Sequence, residues 1–372
     1  MLAALFRFIP KLALVCLGLA LGIFSVELGA RIVPAPDGAH RLFNAPDLEP
    51  EGLFQPDTRL GMSLTPNFEG EIVYPGSEVH VRINSLGLRG PEPLPTPEGP
   101  RWLVIGDSFV LSLQVPKEQT FEHLLAQRLG VEVFNGGVSG DSTWQSVTRY
   151  DMWDDTLQTD TVILLFFLGN DLLDNATFDP SQMDRWHIGP TVQRSTHPPP
   201  SPLVRFLAGH SYLFAHIRVA AQRKAVKGTE RMANWRKELA IYTRSGRPQL
   251  DTYLPFTARA FERFDERARL VRRDRYVVAL APPGIAVNPE RMANTLEFAG
   301  FDPAEADPDA PRQAVADLLA DQQIPTCDLT PALREAEQAG VPTYLVYDGH
   351  WSPEGHEVVA QALQRCITEA SP

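Results

Sequence analysis

Cysteine is scarce in this 372-residue chain, with three in all, and one of them, Cys16, falls inside an apolar run. Cys327 and Cys366 remain, too few for a disulfide-stapled scaffold, and no CxxC or Cys/His spacing of the kind a zinc site needs is present. A single disulfide between these two and a pair of ordinary thiols are both open readings. Positive charge is also in deficit: 34 Lys and Arg stand against 46 Asp and Glu, a formal charge of −12. Such a balance repels phosphate backbones unless a basic stripe offsets it. The densest basic run, RARLVRRDR at 267–275, sits on an expected helix and reads as a solvated face, so nucleic acid is set aside as a partner. There is no internal repeat, no GxSxG elbow of an ordinary α/β-hydrolase, and no pattern that calls for a cofactor. HEVVA at 356–360 begins like a zinc-protease helix but has Ala360 where the second histidine would stand.

What is present begins with one long apolar run. LALVCLGLALGIFSV at 12–26 is uncharged, is preceded by Arg7 and Lys11, and continues to Ala30 with only Glu27 interrupting. That length suits a bilayer crossing, and basic residues ahead of it favour keeping the N-terminus in the cytoplasm. A cleaved signal peptide is the rival reading. ELGA before Arg31 lacks the pair of small residues that cleavage uses, so residues 1–31 are read as a retained signal-anchor.

Residues 32–100 read as a Pro/Asp/Gly-rich linker followed by a β-rich lead-in, with alternating apolar positions in GEIVYPGSEVHVRINSLGLRG at 70–90. From 101 to 372 strands and helices alternate. RWLVIG, VEVFNGG, TVILLFFLGND and RYVVALAPP are apolar with little polar alternation, as strands buried on both faces must be, and helices between them supply the cover. The expected fold class is α/β, a three-layer parallel sheet flanked by helices. The rhythm breaks at about 172–256, which holds STHPPPSP and an expected helix near 203–225; this segment is taken as an insertion or lid over the sheet.

The strand RWLVIG stops at Gly106-Asp107-Ser108. A buried parallel strand that ends in a glycine turn delivers the next residue to the carboxyl edge of the sheet, where open α/β folds bind ligands. A serine there becomes a nucleophile only with a base to take its proton and a group to orient that base. YDGHWSPEGH at 347–356 offers both in Asp348 and His350; extended backbone would place their Cα atoms roughly 6–7 Å apart on one face. His356 is the competing base, set aside because it begins the last helix, where packing or capping suits it. An oxyanion needs preorganised donors, and Gly140 of NGGVSGDS, Asn170 of FLGND and the Ser108 N–H stand at successive strand ends. Taken singly, Gly-Asp-Ser is a common turn, Trp144 and Trp351 default to core packing, and NAT at Asn175 is a sequon short enough to arise by accident.

In order, IGDSF, NGGVSGDS, LGND and DGHWSPEGH resemble the Ser, Gly, Asn and His blocks of the SGNH/GDSL hydrolase superfamily, over about 102–366 with the insertion outside. The resemblance implies a flavodoxin-like sheet, Ser108 as nucleophile and first oxyanion donor, Gly140 and Asn170 as the other donors, and His350 as base oriented by Asp348. No cofactor and no metal are implied. Many members show Asp-x-x-His, whereas this chain has Asp-x-His-Trp, which is similar to the alginate acetyltransferase-like branch of bacterial envelope proteins. That shifts the expectation toward O-acyl, especially acetyl, esters of envelope carbohydrate, with the enzyme in the inner membrane and its catalytic domain periplasmic. Hydrolysis and O-acetyl transfer share every step but the last. A different class of reading is a non-catalytic binding or assembly protein that meets envelope partners through 172–256.

Overall fold

The computed structural model describes residues 2–33, 35, 49–75, 77–178, 201–270 and 275–369. Most of the expected linker, from 36 to 48, and the centre of the expected insertion, from 179 to 200 with most of STHPPPSP, lie outside the described residues.

The apolar run forms one helix, α1 (Leu2–Ile32), whose stretch from Lys11 to Ile32 is long and apolar enough to cross a membrane. The lead-in folds into two antiparallel hairpins, β1 (Phe54–Asp57) with β2 (Gly61–Leu64) and β3 (Glu69–Tyr74) with β4 (Ser77–Arg82). Then come β5 (Arg101–Gly106), α2 (Ser108–Leu111), α3 (Phe121–Leu129), β6 (Glu132–Gly137), α4 (Thr143–Leu157), β7 (Thr161–Phe167) and α5 (Asp171–Thr177). The described part of the insertion is helical: α6 (Pro202–His210), α7 (Tyr212–Ala225), α8 (Glu230–Ala240) and the start of α9 (Arg247–Leu270). The chain ends with β8 (Arg275–Ala281), α10 (Gly284–Val287), α11 (Pro289–Ala299), α12 (Ala310–Asp321), β9 (Thr326–Asp328), α13 (Thr330–Gln338) and α14 (Pro353–Glu369).

The five strands β5 to β9 pair in parallel in the order β6-β5-β7-β8-β9, so the α/β class with a flavodoxin-like order stands. Alternate residues feed two cores. Leu103, Ile105, Val162, Leu164, Phe166, Val278 and Leu280 join one, with α4, α9, α12 and the lead-in hairpin β3–β4. Val104, Ile163, Leu165, Val277 and Ala279 join the other, against α3, α13 and α14. Two-sided burial explains the unbroken apolar strands, since each such side chain withdrawn from water contributes about 1.5–3 kcal/mol.

Cys327 on β9 and Cys366 on α14 form a disulfide, which resolves the open reading of that pair. By the chain-entropy account, closing a loop with a sequence separation of 39 is worth about 4 kcal/mol. Two boundaries differ from expectation. The helix expected near 203–225 is broken at Ser211, whose hydroxyl caps α7 by accepting from Phe214 N. Position 256 falls inside α9, which runs through Pro255 to Leu270 on its apolar face toward the sheet. Asn175, the sequon residue, is fully buried and donates to Thr143 and Thr257, so its amide is structural.

Candidate active site

The sheet's carboxyl edge is built around a turn that only glycine tolerates. Gly106 closes β5 at φ +153°, and a Cβ there would stand 2.8 Å from the Leu165 carbonyl. Asp107 then caps α2, its Oδ1 accepting from Phe109 N at 2.9 Å. Phe109, Val110 and Leu111 are buried, which leaves Ser108 as the part-exposed residue of that short helix.

Ser108 Oγ lies 2.8 Å from His350 Nε2, although 242 positions separate them. For the hydroxyl to donate there, Nε2 must be bare and the ring proton must sit on Nδ1, which donates to the acceptor-only carboxylate Asp348 Oδ1. The chain therefore brings the three expected side chains into one line. It does so differently from the expected extended run: 346–348 is a turn, Gly349 has φ +86°, and the His350 carbonyl accepts from Leu345 N. Successive residues of a strand face opposite ways and pairs two apart sit 6–7 Å away at Cα, whereas the turn folds Asp348 back onto the ring beside it. Burial works against charge on Asp348, but the His350 imidazole, His350 N–H and the Gln114 amide outweigh it and hold the carboxyl below the usual range.

Ser108, Gly140, Asn170, Asp348 and His350 all line one cavity of about 650 Å³. Gly140 has φ +77° with nothing within 4 Å of the place a Cβ would take, so its backbone is open to the cavity. Asn170 donates one amide hydrogen to Asp174, which orients the group and leaves its second hydrogen for an anion. The farther wall comes from α8 and α11, with Trp235, Glu238, Arg291 and Asn294. Trp144 and Trp351 are not among the lining residues; Trp351 is buried edge-on to Phe109 at 4.9 Å, the core role that was its default.

His356 is no base. It is 2% exposed, its Nδ1 accepts from Phe121 N at 3.1 Å, and burial pulls its pKa down to about 3, so the ring stays neutral. Behind Ser108, burial pushes the Asp171 carboxyl up, and negative charge on Asp107 and Asp174 pushes it further.

Three residues of the site carried no motif. Gln114 Nε2 sits 3.0 Å from His350 Nδ1, but with the ring proton on Nδ1 both are donors, so the amide hydrogen serves the Asp348 carboxylate. Tyr74 of the lead-in, fully buried, bonds Gln114 in turn. Arg89, 2% exposed, donates to the carbonyls of Leu111 at 2.8 Å, Ser112, and Val115 at 2.7 Å. It thereby clamps the segment that leaves α2 through the left-handed Ser112 toward Gln114. Replacing Arg89 by Met should cost about 3–5 kcal/mol, because three buried carbonyls lose a charged donor. Denaturant unfolding checks this, and a loss below about 1 kcal/mol would remove Arg89 from the scaffold of the site. The only forewarning in the sequence was an arginine between glycines in GLRG at 87–90. Nearby, burial opposes charge on Glu122, but Lys117, Asn135 and Arg89 lower its pKa to about 2. Its contribution to stability is complete above the ordinary glutamate value and is lost as pH falls toward 2.

Residues 252–372 match the family model described as the SGNH hydrolase-like domain of acetyltransferase AlgX. That span holds Asp348 and His350 but not Ser108. No curated protein matches the chain. Among solved structures, a catalytic mutant of an acetylxylan esterase from Geobacillus stearothermophilus is 16% identical, covering 74% of this chain and 96% of that one with a TM-score of 0.38. The acetyl xylan esterase AlAXEase is 13% identical over 72% and 99%, TM-score 0.38. An alpha/beta hydrolase from the metagenome of Lake Arreo is 14% identical over 73% and 97%, TM-score 0.35. At such scores the chain's own geometry, not the likeness, bears on its chemistry. The similarity to an SGNH hydrolase-like domain thus falls on the His-bearing third of the chain, while the Ser-bearing block stands outside it, at the end of β5 on the same sheet edge.

Proposed function

We propose that this protein is a membrane-anchored serine esterase or O-acyltransferase acting on O-acyl, especially acetyl, esters of a cell-envelope carbohydrate, with its catalytic domain on the periplasmic side of a bacterial inner membrane. The observation that carries the reading is the continuous line from Ser108 Oγ through His350 to Asp348, opening on a cavity that also holds Gly140 and Asn170. Ser108 attacks the ester carbonyl while His350 Nε2 takes its proton; the imidazolium is paired with Asp348 and returns the proton to the departing sugar oxygen. The carbonyl oxygen, negative in the tetrahedral intermediate, is met by the N–H groups of Ser108 and Gly140 and by the Asn170 amide. Water or a sugar hydroxyl, deprotonated by His350, then releases the acyl group from Ser108.

The AlgX match over the histidine segment supports transfer, and the cavity wall of Trp235, Glu238, Arg291 and Asn294 supplies the flat apolar and polar hydrogen-bonding surfaces that a sugar ring uses. The detergent-solubilised full chain, given an acyl ester with and without acetyl-accepting glycan, should release free acid alone in one case and acylated glycan in the other. Free acid in both makes it a hydrolase. Neither product, with no labelling of Ser108 by a fluorophosphonate, leaves the binding or assembly reading, in which 172–256 meets envelope partners.

Asn170→Ala should lower kcat on an ester by on the order of 10²-fold with KM little changed, about 3 kcal/mol, as befits a donor that engages only the developing anion. Steady-state kinetics checks this, and an unchanged kcat removes Asn170 from the oxyanion site.

A further inference from the structure

α1 is not a free tether. Near its end Glu27 accepts from Ser211 Oγ at 2.7 Å, Tyr212 N at 2.8 Å and Leu213 N at 3.2 Å, so its carboxylate sits on the N-terminus of α7. His216 of α7 bonds the Ala30 carbonyl at 2.9 Å, and the Arg31 guanidinium lies 5.2 Å from the Tyr212 ring. Below this junction the large apolar side chains from Leu12 to Val26 are exposed among the described residues, as in Leu14 at 74% and Phe24 at 66%. If lipid surrounds that stretch, the hydrocarbon ends near Glu27, the level at which the α6–α7 corner is docked.

α6 presents an apolar face at this corner that is exposed among the described residues. One side packs on β3, where Ala208 is fully buried and Gly209 admits Val73. The opposite stripe, three to four residues apart, is Leu203 at 65% exposure, Phe206 at 58% and His210, with the Phe206 and His210 rings stacked at 4.3 Å. His210 adjoins Ser211 and hence Glu27. Large apolar side chains in water carry an unfavourable free energy unless something covers them, and a short amphipathic helix beside a membrane span is covered by the headgroup and upper acyl region.

We propose that the Leu203–Phe206–His210 face of α6 is a phospholipid-binding surface that beds into the outer leaflet beside α1 and fixes the catalytic mouth at the bilayer surface. The partner is the bilayer itself, because the surface is continuous with the emerging α1. The inference rests on the membrane-anchored reading of α1. Its consequence for the active site is geometric. Ala35 lines the cavity and lies three residues beyond Ile32, so the mouth is within about 11 Å of the end of the helix. Tyr347, next to Asp348, packs against Tyr212 at 6.1 Å and His216 at 5.9 Å, on the same helix that grips α1. The ester or acceptor that enters is thereby selected for being carried at the membrane face, such as a glycan linked to lipid.

The test uses the full chain with Cys16→Ser, reconstituted in nanodiscs of phosphatidylcholine and phosphatidylglycerol, with single spin-labelled cysteines at Leu203, Phe206, Leu17 on α1 and Asp321 on α12. Collision with lipid-soluble oxygen relative to an aqueous nickel chelate should be severalfold higher at Leu203 and Phe206 than at Asp321, approaching the value at Leu17. Aqueous values at Leu203 and Phe206 with a lipid value at Leu17 overturn the lipid surface and leave the anchor standing. An aqueous value at Leu17 overturns the anchor and the proposal with it.

Discussion

Ser108→Ala should remove turnover of a soluble acetyl ester by on the order of 10⁴-fold or more while the unfolding transition stays where it is in the parent chain. The two halves of that expectation have separate causes. In the proposed mechanism turnover passes through an acyl group on Ser108, the hydroxyl placed 2.8 Å from His350 Nε2. Stability depends on the neighbours: Phe109, Val110 and Leu111 fill the core behind the turn, Asp107 caps α2, and Ser108's side chain contributes one hydrogen bond at a part-exposed edge. Losing such a bond costs about 0.5–1.5 kcal/mol at most. Kinetics, melting and fluorophosphonate labelling read by mass spectrometry check the two together. Retained turnover, or a label that stays on the Ala variant at another residue, would reassign the nucleophile.

The parallel sheet was legible because its strands are buried on both faces, which leaves an apolar signature that tolerates few polar residues. The blocks were legible because each stands at a strand end, where glycine and small polar residues have a geometric reason to occur. Other features were hidden for equally physical reasons. Asp-x-His was read as extended backbone, since spacing alone does not reveal that Gly349 takes φ +86° and folds the dyad into a turn. The break at Ser211 depends on Glu27, 184 residues earlier, which competes for the α7 terminus and rewards a corner over a continuous helix. Tyr74 and Arg89 lie on the β-rich segment packed against the main domain, and Gln114 lies on the stretch that leaves α2. They reach the triad through contacts whose partners lie tens to hundreds of residues away, and nothing in their local sequence marks them.

Those same hidden contacts decide the outcome of Asp348→Asn, which should reduce kcat by on the order of 10⁴-fold with little change in KM or fold. The carboxylate has one electronic role, to accept from Nδ1 and so leave Nε2 bare toward Ser108. An amide in its place removes the negative charge that pairs the imidazolium and can turn its NH₂ toward Nδ1, which moves the ring proton to Nε2, where it blocks the hydroxyl. In this protein the error would be reinforced, because Gln114 Nε2 already stands 3.0 Å from Nδ1 and loses the carboxylate that now draws its hydrogen away. Two amide donors would then face one nitrogen. Raising the pH should restore rate in the Asn variant, since hydroxide can take the Ser108 proton without the imidazole, whereas the parent chain has no such dependence above the histidine range. A variant that keeps more than about a tenth of the parent kcat would mean that Asp348 only orients the ring, and that Gln114 suffices to do so in its absence.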